Sequence, residues 1–312
     1  MVEHSYKTAI SPLPVDSIRL EWTDTQRNRK IPVKIHFPKS RDQVCPVIIF
    51  SHCLGGSREG YGYLARYWSQ YGYVCVHPQH PGSDVSIWQN LPPGHVMQAL
   101  RAAALEPSNP EERLQDIAFI LRELMNLAPT ADRPLPILDL NRMGIAGHSF
   151  GSMTTLTIAG HDFVEIDNSL PSHLRFKAAL AMSSPIPKSS ERQSAEFGRI
   201  KIPCLHMTGT EDTIPISTTR AEERRIPFDC THLAPSYLIN FQGGDHMVFA
   251  GLARNKAREQ ADAFIHTMIE DSSLALWDTY LKQDAHAKDW LENGGLTNSL
   301  GTRGHFEVKH PK

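Results

Sequence analysis

Gly147-His148-Ser149-Phe150-Gly151 places a serine between two glycines, a Gly-x-Ser-x-Gly pattern. The pattern is short enough to recur by chance, so its flanks carry the weight. Met143-Gly144-Ile145-Ala146 before it is β-like, and Met153 to Ala159 after it is helix-compatible. Strand, tight turn and helix is the context a nucleophile elbow requires. Glycines on both sides remove Cβ atoms that would clash in such a turn. The Ser149 hydroxyl then projects at a helix N-terminus, where backbone N–H groups favour negative charge.

A serine hydroxyl is a weak nucleophile until a base takes its proton. At an elbow of this kind the chain order is serine, acid, histidine. Cys204 to Thr208 reads as a strand, and Gly209-Thr210-Glu211-Asp212 leaves its end. Leu238 to Gln242 is the exit of the last expected strand, followed by Gly243-Gly244-Asp245-His246. These positions predict His246 as the base and Asp212 as the acid that orients it. Glu211 is the alternative acid, and Asp245 reads as a loop-stabilising residue.

Acyl transfer also needs donors for the negative oxygen of the tetrahedral intermediate. One is the N–H of the residue after the nucleophile, Phe150. The other is expected from His52-Cys53-Leu54-Gly55-Gly56, where paired glycines permit close backbone approach. Leu54 is the predicted donor and Cys53 the alternative.

Elements that could hold these groups follow from periodicity. Short β-rich runs alternate with longer amphipathic ones, which predicts βαβ units around a largely parallel sheet. Strands are expected at 17–22, 31–37, 46–50, 73–77, 142–146, 177–182, 204–208 and 236–240. Helices are expected at 61–71, 109–127 with Asn109 as N-cap, 149–160, 255–281 with a break at Asp271-Ser272-Ser273, and 284–291. Residues 86–108 carry Trp88, Leu91, Val96, Met97 and Leu100 around Pro92-Pro93-Gly94. They read either as a surface excursion packing its apolar side on the body or as a flap over the site. The whole of 1–312 reads as one domain.

Composition bounds the rest. Hydrophobic content of 40% and charged content of 21% fit a globular core and exclude a disordered chain. A net charge of −2 without a basic run argues against nucleic acid as a partner. Cys45, Cys53, Cys75, Cys204 and Cys230 are scattered and odd in number, which reads as reduced cysteine rather than a disulfide framework. Met1 to Lys7 lacks a charged segment followed by an apolar one, so a cytoplasmic location is expected. No apolar run reaches the length of a membrane span, so no membrane insertion is expected.

Phe50-Ser51-His52-Cys53-Leu54-Gly55-Gly56, Gly147 to Gly151, Thr208 to Asp212 and Asp245-His246 resemble the platelet-activating-factor acetylhydrolase and dienelactone-hydrolase-like branch of the α/β-hydrolases. The resemblance runs from about Ile31 to Leu291 and includes Trp277 to Lys282 and Trp290-Leu291. It implies the α/β-hydrolase fold, a mostly parallel central sheet with helices on both faces. It also implies a Ser149–Asp212–His246 triad, oxyanion donors at Leu54 and Phe150, no cofactor, and a small-molecule carboxylic ester as substrate. The serine departs from true dienelactone hydrolases, which use cysteine at the elbow.

Other readings of the same residues are a non-catalytic binding protein on this fold, or acyl transfer to another acceptor or amide cleavage at the same site. His77-Pro78-Gln79-His80-Pro81-Gly82-Ser83-Asp84 offers two histidines and an acid, but its prolines break any helical ligand face. A rigid loop shaping the site is expected there, with no metal. Arg113 and Asp116, at helical spacing, read as a surface or capping pair.

Overall fold

The computed structural model describes residues 5–311, apart from 7, 9, 41, 128–129, 131–134, 162–165, 172 and 253–255. Asn255, the expected start of a long helix, lies outside the described residues. Strands β1 (Val15–Asp24) and β2 (Arg29–Pro38) form an antiparallel hairpin. β3 (Val44–Ser51), β4 (Val74–Pro78), β5 (Ile137–His148), β6 (Phe176–Met182), β7 (Cys204–Glu211) and β8 (Ser236–Asp245) are joined by parallel pairings. β9 (Gly304–Lys309) closes the edge antiparallel to β8. The sheet order is β1-β2-β4-β3-β5-β6-β7-β8-β9, so the fold is mixed α/β around a mostly parallel sheet.

The helices are α1 (Gly62–Gln70), α2 (Pro93–Leu105), α3 (Ser108–Met125), α4 (Phe150–Gly160), α5 (Ser190–Phe197), α6 (Ile226–Cys230), α7 (Glu259–Leu281), α8 (Ala285–Glu292) and α9 (Gly295–Leu300). Successive strand residues point to opposite faces. On β3, Ile48 and Phe50 therefore join a core with Trp68 of α1 and Trp277 of α7. Val47 and Ile49 join a second core with Ile117 of α3 and Leu156 of α4. Trp68 and Trp277 meet edge to face at 5.7 Å, a contact worth about 1 kcal/mol beyond its area. No helix among the described residues is long and apolar enough to cross a membrane.

Several expectations need correction. β9 was not expected: its half-exposed alternation is a weak signal at the sheet edge. α7 runs unbroken through Asp271-Ser272-Ser273, because those polar groups find partners in neighbouring elements and in the helix itself. Asp271 accepts from Tyr67 Oη and the Tyr6 amide, Ser272 donates to the Met268 carbonyl, and Ser273 Oγ accepts from Trp68 Nε1. Asn109 is not the N-cap of α3; it is buried inside the first turn, its Nδ2 donating to the Ala103 carbonyl at 2.9 Å. Arg113 and Asp116 are fully buried rather than a surface pair.

The 86–108 excursion contains α2. Only Ala103 of that helix is buried, and Leu91, Met97 and Leu105 are exposed, so its apolar residues do not all pack on the body. It is tied down at few points. Trp88 Nε1 donates to the Gly55 carbonyl at 2.8 Å, and Arg101 Nη2 donates to the Pro215 carbonyl at 3.3 Å.

Candidate active site

Ser149 ends β5 and opens α4 with φ 55° and ψ −119°, a conformation that costs a non-glycine residue about 1–3 kcal/mol. The surroundings enforce it. The Ser149 amide donates to the Met182 carbonyl at 2.9 Å, tying the turn to the neighbouring strand. A Cβ on Gly147 would lie 2.2 Å from the Gly151 carbonyl oxygen, and one on Gly151 would lie 2.0 Å from that of Ser51. Both flanking glycines are therefore dictated by backbone contact. The turn lifts the Ser149 hydroxyl at the start of α4, whose first N–H groups have no partner within the helix.

The predicted partners converge on it. His246 Nε2 lies 3.0 Å from Ser149 Oγ, and His246 Nδ1 lies 3.0 Å from Asp212 Oδ1. His246 is 3% exposed and Ser149 9%, so the pair is largely shielded from water. A carboxylate beside Nδ1 sets the tautomer: Nδ1 carries the proton, and Nε2 accepts from the serine hydroxyl. Asp212 follows β7 directly, and His246 follows β8. Gly243 and Gly244 lie within β8, not beyond it, and β9 rather than β8 is the last strand in the chain.

Glu211 and Asp245, the other acids weighed, are engaged elsewhere. Glu211 is exposed and faces Arg258 at 3.4 Å. Asp245 Oδ1 accepts from the amides of Met247 and Val248, each at 3.0 Å, which holds the turn that carries His246.

Two residues of this cluster escaped sequence reasoning. Ser183, just past β6 at φ 53°, donates to Asp212 Oδ1 at 2.8 Å and lies 2.6 Å from His246 Nδ1. Arg224 is buried, its Nε donating to the Asp212 carbonyl at 2.8 Å and lying 2.9 Å from Oδ1. Its Nη1 donates to the carbonyls of Ser183 and Ser184 at 3.1 and 2.8 Å. Thr208 Oγ1 donates to the other carboxylate oxygen of Asp212 at 2.9 Å. Both oxygens of this fully buried acid are thus satisfied, as a buried carboxylate requires.

His148 packs against His246 with ring centroids 4.8 Å apart. Burial, followed by the nearby His246 and Arg224, holds its basicity well below the ordinary histidine range. It is therefore a neutral wall beside His246.

Leu54 and Phe150 lie on the loop after β3 and at the first position of α4. Leu54 is half-buried and Phe150 buried. The loop is fixed from behind: the Gly56 amide donates to the Cys53 carbonyl at 3.0 Å, and the Gly55 amide to the Ser83 carbonyl at 2.9 Å.

The His77 to Asp84 segment forms the wall behind that loop. His80 Nδ1 meets Asp116 Oδ2 at 3.0 Å and His80 Nε2 meets Ser51 Oγ at 2.8 Å, while Asp84 accepts from Gln79 and Ser86. Among the described residues, no group of three or more His, Cys, Asp or Glu could hold a metal ion. All five cysteines are free. In comparison with known proteins, the chain matches no family model and no curated protein.

Proposed function

We propose that this chain is a serine carboxylic-ester hydrolase of the α/β-hydrolase fold. The observation that carries it is the 3.0 Å approach of His246 Nε2 to Ser149 Oγ, with Asp212 at 3.0 Å behind the imidazole. The chain order serine, acid, histidine and the strand–turn–helix at Ser149 are those of an elbow hydrolase.

His246 Nε2 takes the Ser149 proton as Oγ attacks the ester carbonyl carbon. The C–O π pair moves to the carbonyl oxygen, where the N–H groups of Phe150 and Leu54 stabilise it. Collapse of this intermediate breaks the ester C–O bond, and the imidazolium returns its proton to the leaving alcohol. The acyl group then sits on Ser149. Water, deprotonated by the same imidazole, adds to the acyl carbon; collapse breaks the acyl–Oγ bond, Ser149 Oγ regains the proton from the imidazolium, and the acid is released. Asp212 stabilises the imidazolium that forms in both halves.

The test is labelling with an organophosphonate beside turnover of p-nitrophenyl acetate. The expected result is one adduct on Ser149 and loss of both labelling and turnover in Ser149→Ala, with the melting temperature kept. Wild-type turnover by Ser149→Ala, or no adduct on the parent protein, rejects the proposal.

A further inference from the structure

Arg113 of α3 is among the largest fully buried side chains, at 0% exposure. All its acceptors are neutral. Nε donates to Ser83 Oγ at 2.9 Å, Nη1 to the His52 carbonyl at 2.7 Å, and Nη2 to the Ser83 carbonyl at 3.4 Å. Its Cζ lies 4.8 Å from the ring centroid of Phe150. Among the described residues, no ion pair within 4.0 Å reaches its guanidinium. Asp116, one turn along the same helix, is taken by His80 at 3.0 Å and by Arg27 and Arg29 at 2.8 Å each.

A buried cation without a carboxylate partner is costly, and an apolar side chain would serve packing better. Its location supplies a reason. Arg113 touches both segments expected to donate to the oxyanion, the ring of Phe150 and the loop at His52. The His52 carbonyl and the Cys53 N–H are opposite ends of one planar peptide. Donation into the oxygen at 2.7 Å polarises the N–H at the far end.

The next peptide is held in the same sense. The His80 amide donates to His52 Nε2 at 3.0 Å, so the ring proton sits on Nδ1. That Nδ1 donates to the Cys53 carbonyl at 2.7 Å, which turns the Leu54 N–H to the opposite side. The 3.3 Å contact between Arg113 Nη2 and His52 Nδ1 therefore brings two N–H groups together and is no hydrogen bond. Burial first, and Arg113 second, hold His52 neutral, well below the ordinary histidine range. The guanidinium is thus the charge in direct contact with this loop, with Asp116 and Asp84 acting on it from beyond ion-pair distance.

We propose that Arg113 is a positioning residue for the reaction, a fixed positive charge behind the oxyanion hole that favours the anionic tetrahedral intermediate over the neutral ester. This rests on the ester-hydrolase proposal above. A charge installed before reaction, itself buried away from water, acts without reorganising as the oxyanion forms.

A trifluoromethyl ketone labelled with carbon-13 at its carbonyl tests it. Ser149 Oγ adds to that carbon and His246 receives the serine proton. The hemiketal oxygen is then an oxyanion whose protonation is read by carbon-13 chemical shift against pH. In Arg113→Met the hemiketal pKa is expected to rise by about one unit or more. Its kcat for p-nitrophenyl acetate is expected to fall at least about tenfold with KM little changed. Arg113→Lys keeps a cation and is expected to recover most of both. If the Met variant does not fold, Arg113→Gln takes its place.

A hemiketal pKa equal in the parent, Met and Lys proteins overturns the role of Arg113 and leaves the hydrolase proposal standing. So does a loss that falls on KM alone. A parent protein that forms no hemiketal at Ser149 overturns both.

Discussion

Ser183 Oγ sits 2.6 Å from His246 Nδ1, closer than Asp212 Oδ1 at 3.0 Å. The imidazole N–H therefore faces two acceptors, and the Ser183 hydroxyl passes its own proton to Asp212 at 2.8 Å. Removing that hydroxyl takes away two hydrogen bonds, one from the imidazole and one to the carboxylate, and leaves the carboxylate itself in place. Ser183→Ala is expected to lower kcat about five- to tenfold, the equivalent of roughly 1 kcal/mol. Asp212→Asn presents the wrong partner to Nδ1 and is expected to cost about 10⁴-fold in kcat. Steady-state kinetics on the two variants ranks them. Equal losses would mean that Ser183 shares the role of the acid.

Gly151 and Gly94 differ in what an added methyl would meet. At Gly151 it would lie 2.0 Å from the Ser51 carbonyl oxygen and 2.7 Å from that of His52, both backbone atoms that cannot turn aside. At Gly94, inside α2, nothing lies within 4 Å. Gly151→Ala is expected to destabilise by at least about 3 kcal/mol and abolish turnover, since β3 and α4 must part. Gly94→Ala is expected to stabilise by up to about 1 kcal/mol through helix propensity. Urea unfolding of both variants decides, and a benign Gly151→Ala would contradict the contact between elbow and loop.

Acid should unfold this protein through its buried histidines. Burial first pushes His36 and His80 down to about 4 and His77 and His206 down to about 3. Their folded values lie below the ordinary 6.5, so the unfolded chain binds protons that the folded chain refuses. The stability they contribute is present above pH 6.5 and lost as pH falls toward 4 and 3. Between pH 7 and 5 each is expected to cost about 2 kcal/mol. Denaturant unfolding at the two pH values measures this. Equal stability at both would show that these rings are protonated in the folded state.

Much of the site was legible because its residues lie where local pattern is strong. Ser149 is framed by a β run and a helical run, and Asp212 and His246 each follow a strand by a fixed short distance. Among the described residues, eight of the nine strands announced themselves as β-rich runs. Other residues were hidden because their roles depend on which strands neighbour each other. Met182-Ser183-Ser184-Pro185 looks like any strand exit until β6 is placed between β5 and β7. Arg224 belongs to Glu222-Glu223-Arg224-Arg225, a run that reads as a solvated charged turn. Arg113 and Asp116 have helical spacing, but only the sheet packed against α3 shows that they face inward. Gly304 to Lys309 alternates in strand fashion with too few fully apolar positions to stand out.

The excursion that contains α2 is anchored by side chains of unequal chemistry, Asn109 at the Ala103 carbonyl among them. Trp88 holds it to Gly55, next to Leu54, and Arg101 holds it to Pro215, three residues past Asp212. Its outer residues Leu91, Met97 and Leu105 are exposed to water. Substitutions at those outer positions are therefore expected to change the surface the excursion presents at little cost to folding. Trp88 has no such freedom, because its indole meets the loop that carries Leu54.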